Sequence, residues 1–293
     1  MKWRGRETSS NVDDMRSVKS SAGLNLGTLI PIIQFLIKTK FGRIILGIGV
    51  VAFFLGYNPL NLLNFASGGA ASGGSKQLTQ KDIDDANFSS VVLRDTEKIW
   101  GSIFAQYNAT YQEPRLSLFS GAIQSGCGYA SSQVGPFYCP ADRKVYLDTS
   151  FFQELAKTHN APGEFAQGYV IAHEVGHHIQ NLIGVIENST AQKKGKTEAQ
   201  QNAIQVKVEL QADCFAGIWA HYLEKQGGII EDGDIEAALN AASMIGDDTL
   251  QKKARGYVVP DSFTHGSSAE RKEWFYKGYK YGTLQACRNG LEG

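Results

Sequence analysis

The chain has 293 residues with 29 basic and 29 acidic side chains, enough for one large domain or two small ones. The zero net charge hides a division: residues 1–43 hold eight basic and three acidic side chains, residues 44–75 hold none, and the remainder is acidic. No basic stripe of the kind that nucleic acid needs is present, so the sequence argues against a nucleic-acid partner.

The amino-terminal residues 1–43 read as a basic cytoplasmic or interfacial segment. Within it Leu24–Ile37 is apolar but short, and it contains Pro31 and Gln34. An interfacial stretch is the expected role; a helical hairpin with the next segment is the alternative and would reverse the topology. Residues 44–65 are uncharged and long enough for a bilayer span of about 20 residues. Lys38, Lys40 and Arg43 precede them, which by the positive-inside rule places the amino terminus in the cytoplasm. Asn58-Pro59 would end the helix. The 40-odd residues before the span are far too long for the n-region of a signal peptide; a buried core helix is the other competing reading. Residues 66–78 form a Gly/Ser linker. The expectation is therefore one transmembrane helix followed by an extracytoplasmic domain over 79–293.

That domain begins at Thr79 with a helix over about 80–107. Residues 115–150 look strand-rich, through Arg115–Phe119, Phe137-Tyr138 and Lys144–Leu147. Val145–Asp148 is the local candidate for a strand that holds an extended substrate by main-chain pairing; an internal strand is the alternative.

Next comes a helix bounded by Pro162 and Gly184, with Phe165, Tyr169, Ala172, Val175, Ile179, Leu182 and Ile183 at three-to-four spacing. It carries His173-Glu174-Val175-Gly176-His177-His178. Residues i and i+4 share one helix face, so His173 and His177 can point two imidazoles at one metal. Glu174 then stands where it can take a proton from a metal-activated water. His178 falls off that face and reads as structural. The competing reading is a chance match on a buried helix with two hydrogen-bonded histidines.

A catalytic zinc takes three protein ligands and a water. Gly184, eleven residues after His173, excludes the class with a third histidine there. The next helix, 198–225, holds Glu209-Leu210-Gln211-Ala212-Asp213. Glu209 and Asp213 are again i and i+4, inside an apolar helix. Glu209 suits the third ligand, and Asp213 suits the acceptor of a ligand histidine's free ring N–H. The alternative is a solvated acidic face.

Four cysteines follow the apolar run, and an even count in an oxidising compartment suggests two disulfides. Three pairings are possible; Cys127–Cys139, closing a glycine-rich loop, and Cys214–Cys287 are the pair preferred here. A four-cysteine zinc site competes, but no C-x-x-C spacing supports it. Ser267-x-x-Glu270 reads as a capping box that starts a last helix.

On these motifs the chain resembles the bacterial neutral zinc metallopeptidases, within the Glu-ligand zincins. The resemblance covers nearly the whole chain. It includes Trp3-Arg4-Gly5-Arg6, Asn11-Val12-Asp13-Asp14, Gly56-Tyr57-Asn58-Pro59, Cys127-Gly128 and Pro136-Phe137-Tyr138-Cys139-Pro140. It continues through the two metal-site motifs to Thr264-His265-Gly266-Ser267-Ser268 and Arg271. The site layout is also similar to that of Ste24-type membrane peptidases, which carry Thr-His-Pro followed by Arg; here Gly266 replaces the proline. The resemblance implies an α+β, zincin-like (gluzincin) domain, mainly helical with a small β-sheet, and one Zn2+. By the same analogy His265 is a candidate donor to the developing oxyanion, and Arg271 a candidate to hold a ligand carboxylate such as Glu209. An ordinary loop histidine and a surface arginine are the alternatives.

The sequence thus points to a zinc endopeptidase acting on a peptide or protein. It would be held in the bacterial inner membrane by its amino-terminal helix. A zinc-stabilised binding module tethered to the membrane and an amidase of the cell wall are the rival readings.

Overall fold

The computed structural model describes residues 1–17, 78–158 and 161–292. The apolar stretch 24–37, the expected transmembrane helix 44–65 and all of the expected linker except Leu78 lie outside the described residues. Among the described residues no helix is long and apolar enough to cross a membrane.

A short strand, β1 (Val12–Asp14), precedes this gap, and helix α1 (Gln80–Gln106) follows it. Thr79 starts α1 with a reciprocal capping box to Asp82, which satisfies two backbone donors that the first turn cannot. Strands β2 (Arg115–Phe119), β3 (Ala122–Ser125), β4 (Gly128–Ser131), β5 (Phe137–Cys139) and β6 (Lys144–Asp148) come next. The rest is helical: α2 (Ser150–Lys157), α3 (Glu164–Leu182), α4 (Val185–Lys193), α5 (Glu198–Gln226), α6 (Asp234–Met244), α7 (Asp247–Arg255) and α8 (Ser268–Tyr281). The α+β, mainly helical character agrees with the sequence reading. Pro162 sits just before the Gly163 N-cap of α3 and not in its first turn, while Gly184 takes the left-handed conformation just beyond it.

The main sheet runs β1-β2-β6-β5. The first three strands are parallel, and β5 pairs antiparallel with β6. Alternation sorts the side chains: Leu116, Leu118, Val145 and Leu147 join the main core with α1 and α3. Phe119 and Tyr146 face a small second cluster with Cys139. Strand β6 therefore has neighbours on both sides, which corrects the expectation that Val145–Asp148 could pair with a substrate. The edge is β5.

Two helix crossings are set by glycine. A Cβ on Gly176 in α3 would lie 3.0 Å from the Ala212 carbonyl oxygen of α5. Gly217 of α5 and Gly278 of α8 meet each other's backbones, where any Cβ would collide. The three helices thus approach closely enough for short side chains to bridge them.

The domain boundary differs from the expected one. Residues Met1–Arg16 belong to the same unit as the residues from Leu78 onward. Asp14 pairs with Leu118, and Leu116 donates to the Asn11 carbonyl at 2.8 Å. Trp3 is buried against Phe88, with ring centroids 5.7 Å apart. Arg6 donates to Asp95 at 2.9 Å, and Ser9 and Asn11 both bond to Glu97. The first 16 residues are thus part of the folded domain and not a separate cytoplasmic segment. A sheet and its core cannot be divided by a bilayer, because strand backbone in lipid must find its partners locally. Met1–Arg16 and the residues from Leu78 onward therefore form one folded unit.

Trp3→Ala should destabilise the whole domain by about 3–5 kcal/mol, the usual cost of emptying a buried tryptophan site. Chemical denaturation followed through residues of α5 checks this; an unchanged midpoint would mean that the amino terminus is not docked.

Candidate metal centre

Helices α3 and α5 cross at the Gly176–Ala212 contact, which brings their polar residues together inside an apolar core. His173 and His177 come from α3 and Glu209 from α5. One donor atom from each lies within 4.8 Å of the others, a set able to hold a metal ion. His173 Nε2 is 3.3 Å from Glu209 Oε2, and His177 Nε2 is 3.4 Å from the same oxygen. Zinc–ligand bonds of about 2.0–2.1 Å in a tetrahedron separate neighbouring donors by about 3.3 Å. The spacing fits that geometry and is long for a hydrogen bond.

Each ring is turned by its other nitrogen. His173 Nδ1 lies 2.8 Å from Asp213 Oδ1. His177 Nδ1 lies 2.8 Å from Gln180 Oε1. Glu209 Oε1 accepts from Gln205 Nε2 at 2.8 Å, leaving Oε2 toward the histidines. Burial disfavours a charge on His173, but the Asp213 carboxylate outweighs it and pushes its pKa up to about 10. A metal must displace that proton, so binding depends on pH.

Asp213 is completely buried, and four atoms from three side chains converge on it. Arg271 of α8 donates through Nε at 2.8 Å and Nη2 at 2.9 Å. Tyr169 donates its phenol at 2.5 Å, and His173 completes the set. Burial alone would raise the Asp213 pKa; Arg271 and His173 bring it down to about 2. The expected partner of Arg271 was Glu209. The structure instead gives it Asp213 because α8 packs on α5 one turn further along, at the Gly217–Gly278 contact.

Glu174 is buried and lines a cleft of about 600 Å³ together with the three donor residues, Tyr138, Phe151, Lys193 and His265. His265 is held from behind. Asp247 accepts the backbone N–H groups of Thr264, His265 and Gly266 at 2.7, 2.6 and 3.1 Å. Its other oxygen is 3.3 Å from His265 Nδ1. Gly266 has φ +91°, which explains a glycine where the Ste24-type motif has proline, whose ring allows only negative φ. Ser267 caps α8 reciprocally with Glu270, as the sequence suggested.

His178 stays outside the donor set. It is fully buried, with Nδ1 3.0 Å from the Tyr138 hydroxyl and Nε2 2.6 Å from the Gln112 carbonyl oxygen. Both preferred disulfides form: Cys127–Cys139 ties β5 to the β3–β4 hairpin, and Cys214–Cys287 ties α5 to the carboxyl-terminal turn. Sequence reasoning passed over Tyr169, Gln180, Gln205 and Asp247. The first three stand three or four residues from His173, His177 and Glu209 on the same helices, so helical spacing could have found them. Asp247 carries no such signal.

Two histidines from H-E-x-x-H and a glutamate from a following helix, with a buried acid behind the first histidine, thus form a set able to hold a metal ion. The chain belongs to the family described as "Putative neutral zinc metallopeptidase", whose model matches residues 1–289. It is 44% identical to "Uncharacterized protein YpfJ" of Escherichia coli (strain K12) over 289 residues, 98% of each chain. It is also 44% identical to "Uncharacterized protein Mb2605" of Mycobacterium bovis over 187 residues, 60% of this chain and 62% of that one. No solved structure matches the chain significantly.

The neutral His178 carries a pH signature. Burial depresses its pKa to about 4 from the ordinary value of 6.5. Between those values the unfolded chain binds the extra proton, so stability is fully present above pH 6.5 and is lost as pH falls through about 4. The loss should reach about 3 kcal/mol. Urea denaturation across this window should show the slope, and His178→Phe should remove it.

Proposed function

We propose that the chain is a zinc metalloendopeptidase of the zincin type, with His173, His177 and Glu209 as ligands. The observation that carries this reading is the approach of His173 Nε2 and His177 Nε2 to one oxygen of Glu209, at 3.3 and 3.4 Å, beside Glu174 in one cleft. When bound, zinc activates a water and polarises the scissile carbonyl. Glu174 takes the proton of the water and delivers it to the leaving amine. His265 donates from across the cleft to the oxygen on which charge develops, with Asp247 fixing its loop. Asp213 and Arg271 hold the His173 ring. An extended peptide adds to the free edge of β5 by main-chain pairing, in place of the expected β6. This is supported by Phe137 and Tyr138 lining the cleft from that strand.

The domain is proposed to work outside the cytoplasm, a reading supported by two disulfides and no free cysteine among the described residues. The chain from residue 17 to 77 then attaches it to the inner membrane, entering and leaving on the domain's side. The sequence suits this: Lys38, Lys40 and Arg43 lie between two apolar stretches, where a hairpin would place them on the cytoplasmic face.

Glu174→Gln should keep zinc affinity and lose peptide cleavage by about 10²–10⁴-fold, the range for a general acid–base group. Zinc titration and cleavage of a mixed peptide library measure the two separately; equal cleavage by the variant would refute the mechanism. His265→Ala should lower kcat by about 10²–10³-fold with little change in KM, as expected of an oxyanion donor. A change confined to KM in steady-state kinetics would instead make His265 a binding residue.

A further inference from the structure

Gln180 lies three residues beyond His177 on α3 and is completely buried. Its Nε2 donates to the Val208 carbonyl at 2.7 Å and to Gln211 Oε1 at 3.0 Å. An amide nitrogen has two hydrogens, and both are now used on acceptors. The atom facing His177 Nδ1 at 2.8 Å is therefore the carbonyl oxygen Oε1, which can only accept. Gln211 of α5 is also buried, and its orientation is equally determined. Its Nε2 donates to the Cys287 carbonyl at 3.1 Å and to Glu292 Oε1 at 2.5 Å, so its Oε1 is the acceptor for Gln180. The far end is anchored, because Cys287 is bonded to Cys214 on the same helix as Gln211.

We propose that Gln180 and Gln211 are positioning residues that hold His177 in the Nδ1–H tautomer and so present its Nε2 to the metal. Asp213 does the same for His173, but with a charged acceptor. The two histidine ligands thus differ in basicity: one is backed by a carboxylate and the other by a neutral amide relay. A neutral acceptor holds the ring without adding a further carboxylate to a buried site that already contains Glu174, Glu209 and Asp213. The proposal rests on the zinc-site reading above.

The test uses the full chain loaded with zinc. Long-range proton–nitrogen NMR of ¹⁵N-histidine-labelled protein should show His177 protonated at Nδ1 and metal-bound through Nε2. Metal bound through Nδ1 of His177 would overturn the proposal, and this measurement needs no variant to fold. Competition with a chromophoric chelator then gives zinc affinity. Gln180→Met keeps the volume but removes the acceptor, and it should weaken zinc about 10–100-fold, the usual effect of losing a partner behind a ligand. Gln211→Met should act in the same direction without touching His177. Its loss should be smaller, about 3–10-fold, because it acts only through Gln180. Folded Gln180→Met with wild-type zinc affinity would overturn the relay. The zinc-site reading fails separately, if His177→Ala binds zinc as well as the wild type does.

Discussion

The buried carboxylate of Asp213 is the constraint on which the site depends. It has no access to water, and a lone ionised group in such a place costs several kcal/mol. Two bonds from Arg271, one from Tyr169 and one from His173 offset that cost. These partners come from α8 and α3, so one carboxylate on α5 joins the three helices that build the centre. A change in any partner leaves a charge in the core, and that penalty reaches the metal through His173. Fold stability and metal geometry are therefore linked at a single oxygen, Oδ1, which serves Arg271, Tyr169 and His173 together.

Such bridging needs helices that nearly touch. Gly176 sits inside the H-E-x-x-H motif itself, and its missing side chain admits the backbone of α5 at Ala212. Gly217 and Gly278 do the same between α5 and α8. Motif and packing thus overlap in sequence: Gly176, one of the two residues between Glu174 and His177, lets α3 approach the helix that carries Glu209. The Cys214–Cys287 bridge adds a covalent tie next to Asp213 and holds the carbonyl to which the Gln211 amide donates. Each histidine is then turned by a chain of bonds that ends in rigid structure, at Arg271 for one and at the carboxyl-terminal turn for the other.

The parts legible in the sequence are those with a local period. Helices α3 and α5 followed three-to-four spacing, and their ends at Gly184 and Thr197 follow from backbone preference. His173, His177, Glu209 and Asp213 were found because each pair lies one helical turn apart. The errors all concern what one element meets in another. Arg271 was paired with the wrong acid because nothing local fixes where α8 slides along α5. Strand β6 was taken as a possible edge because a five-residue strand reads alike at the edge and in the interior, and only the position of β5 decides. Strand β1 was missed altogether. Three residues carry too little pattern, and the apolar run after them suggested a boundary where the chain in fact returns to the same sheet.

That return changes how the basic and apolar residues are read. Of the basic residues in 1–43, Arg4 pairs with Glu164, Arg6 with Asp95 and Arg16 with Asp14. Between the folded amino-terminal residues and the linker, the basic side chains are Lys19 and the cluster Lys38, Lys40 and Arg43. Three of these four lie between the apolar stretches and not in front of the first, and the positive-inside rule applies to short loops next to membrane segments. The two disulfides lie in the unit that the sheet holds together.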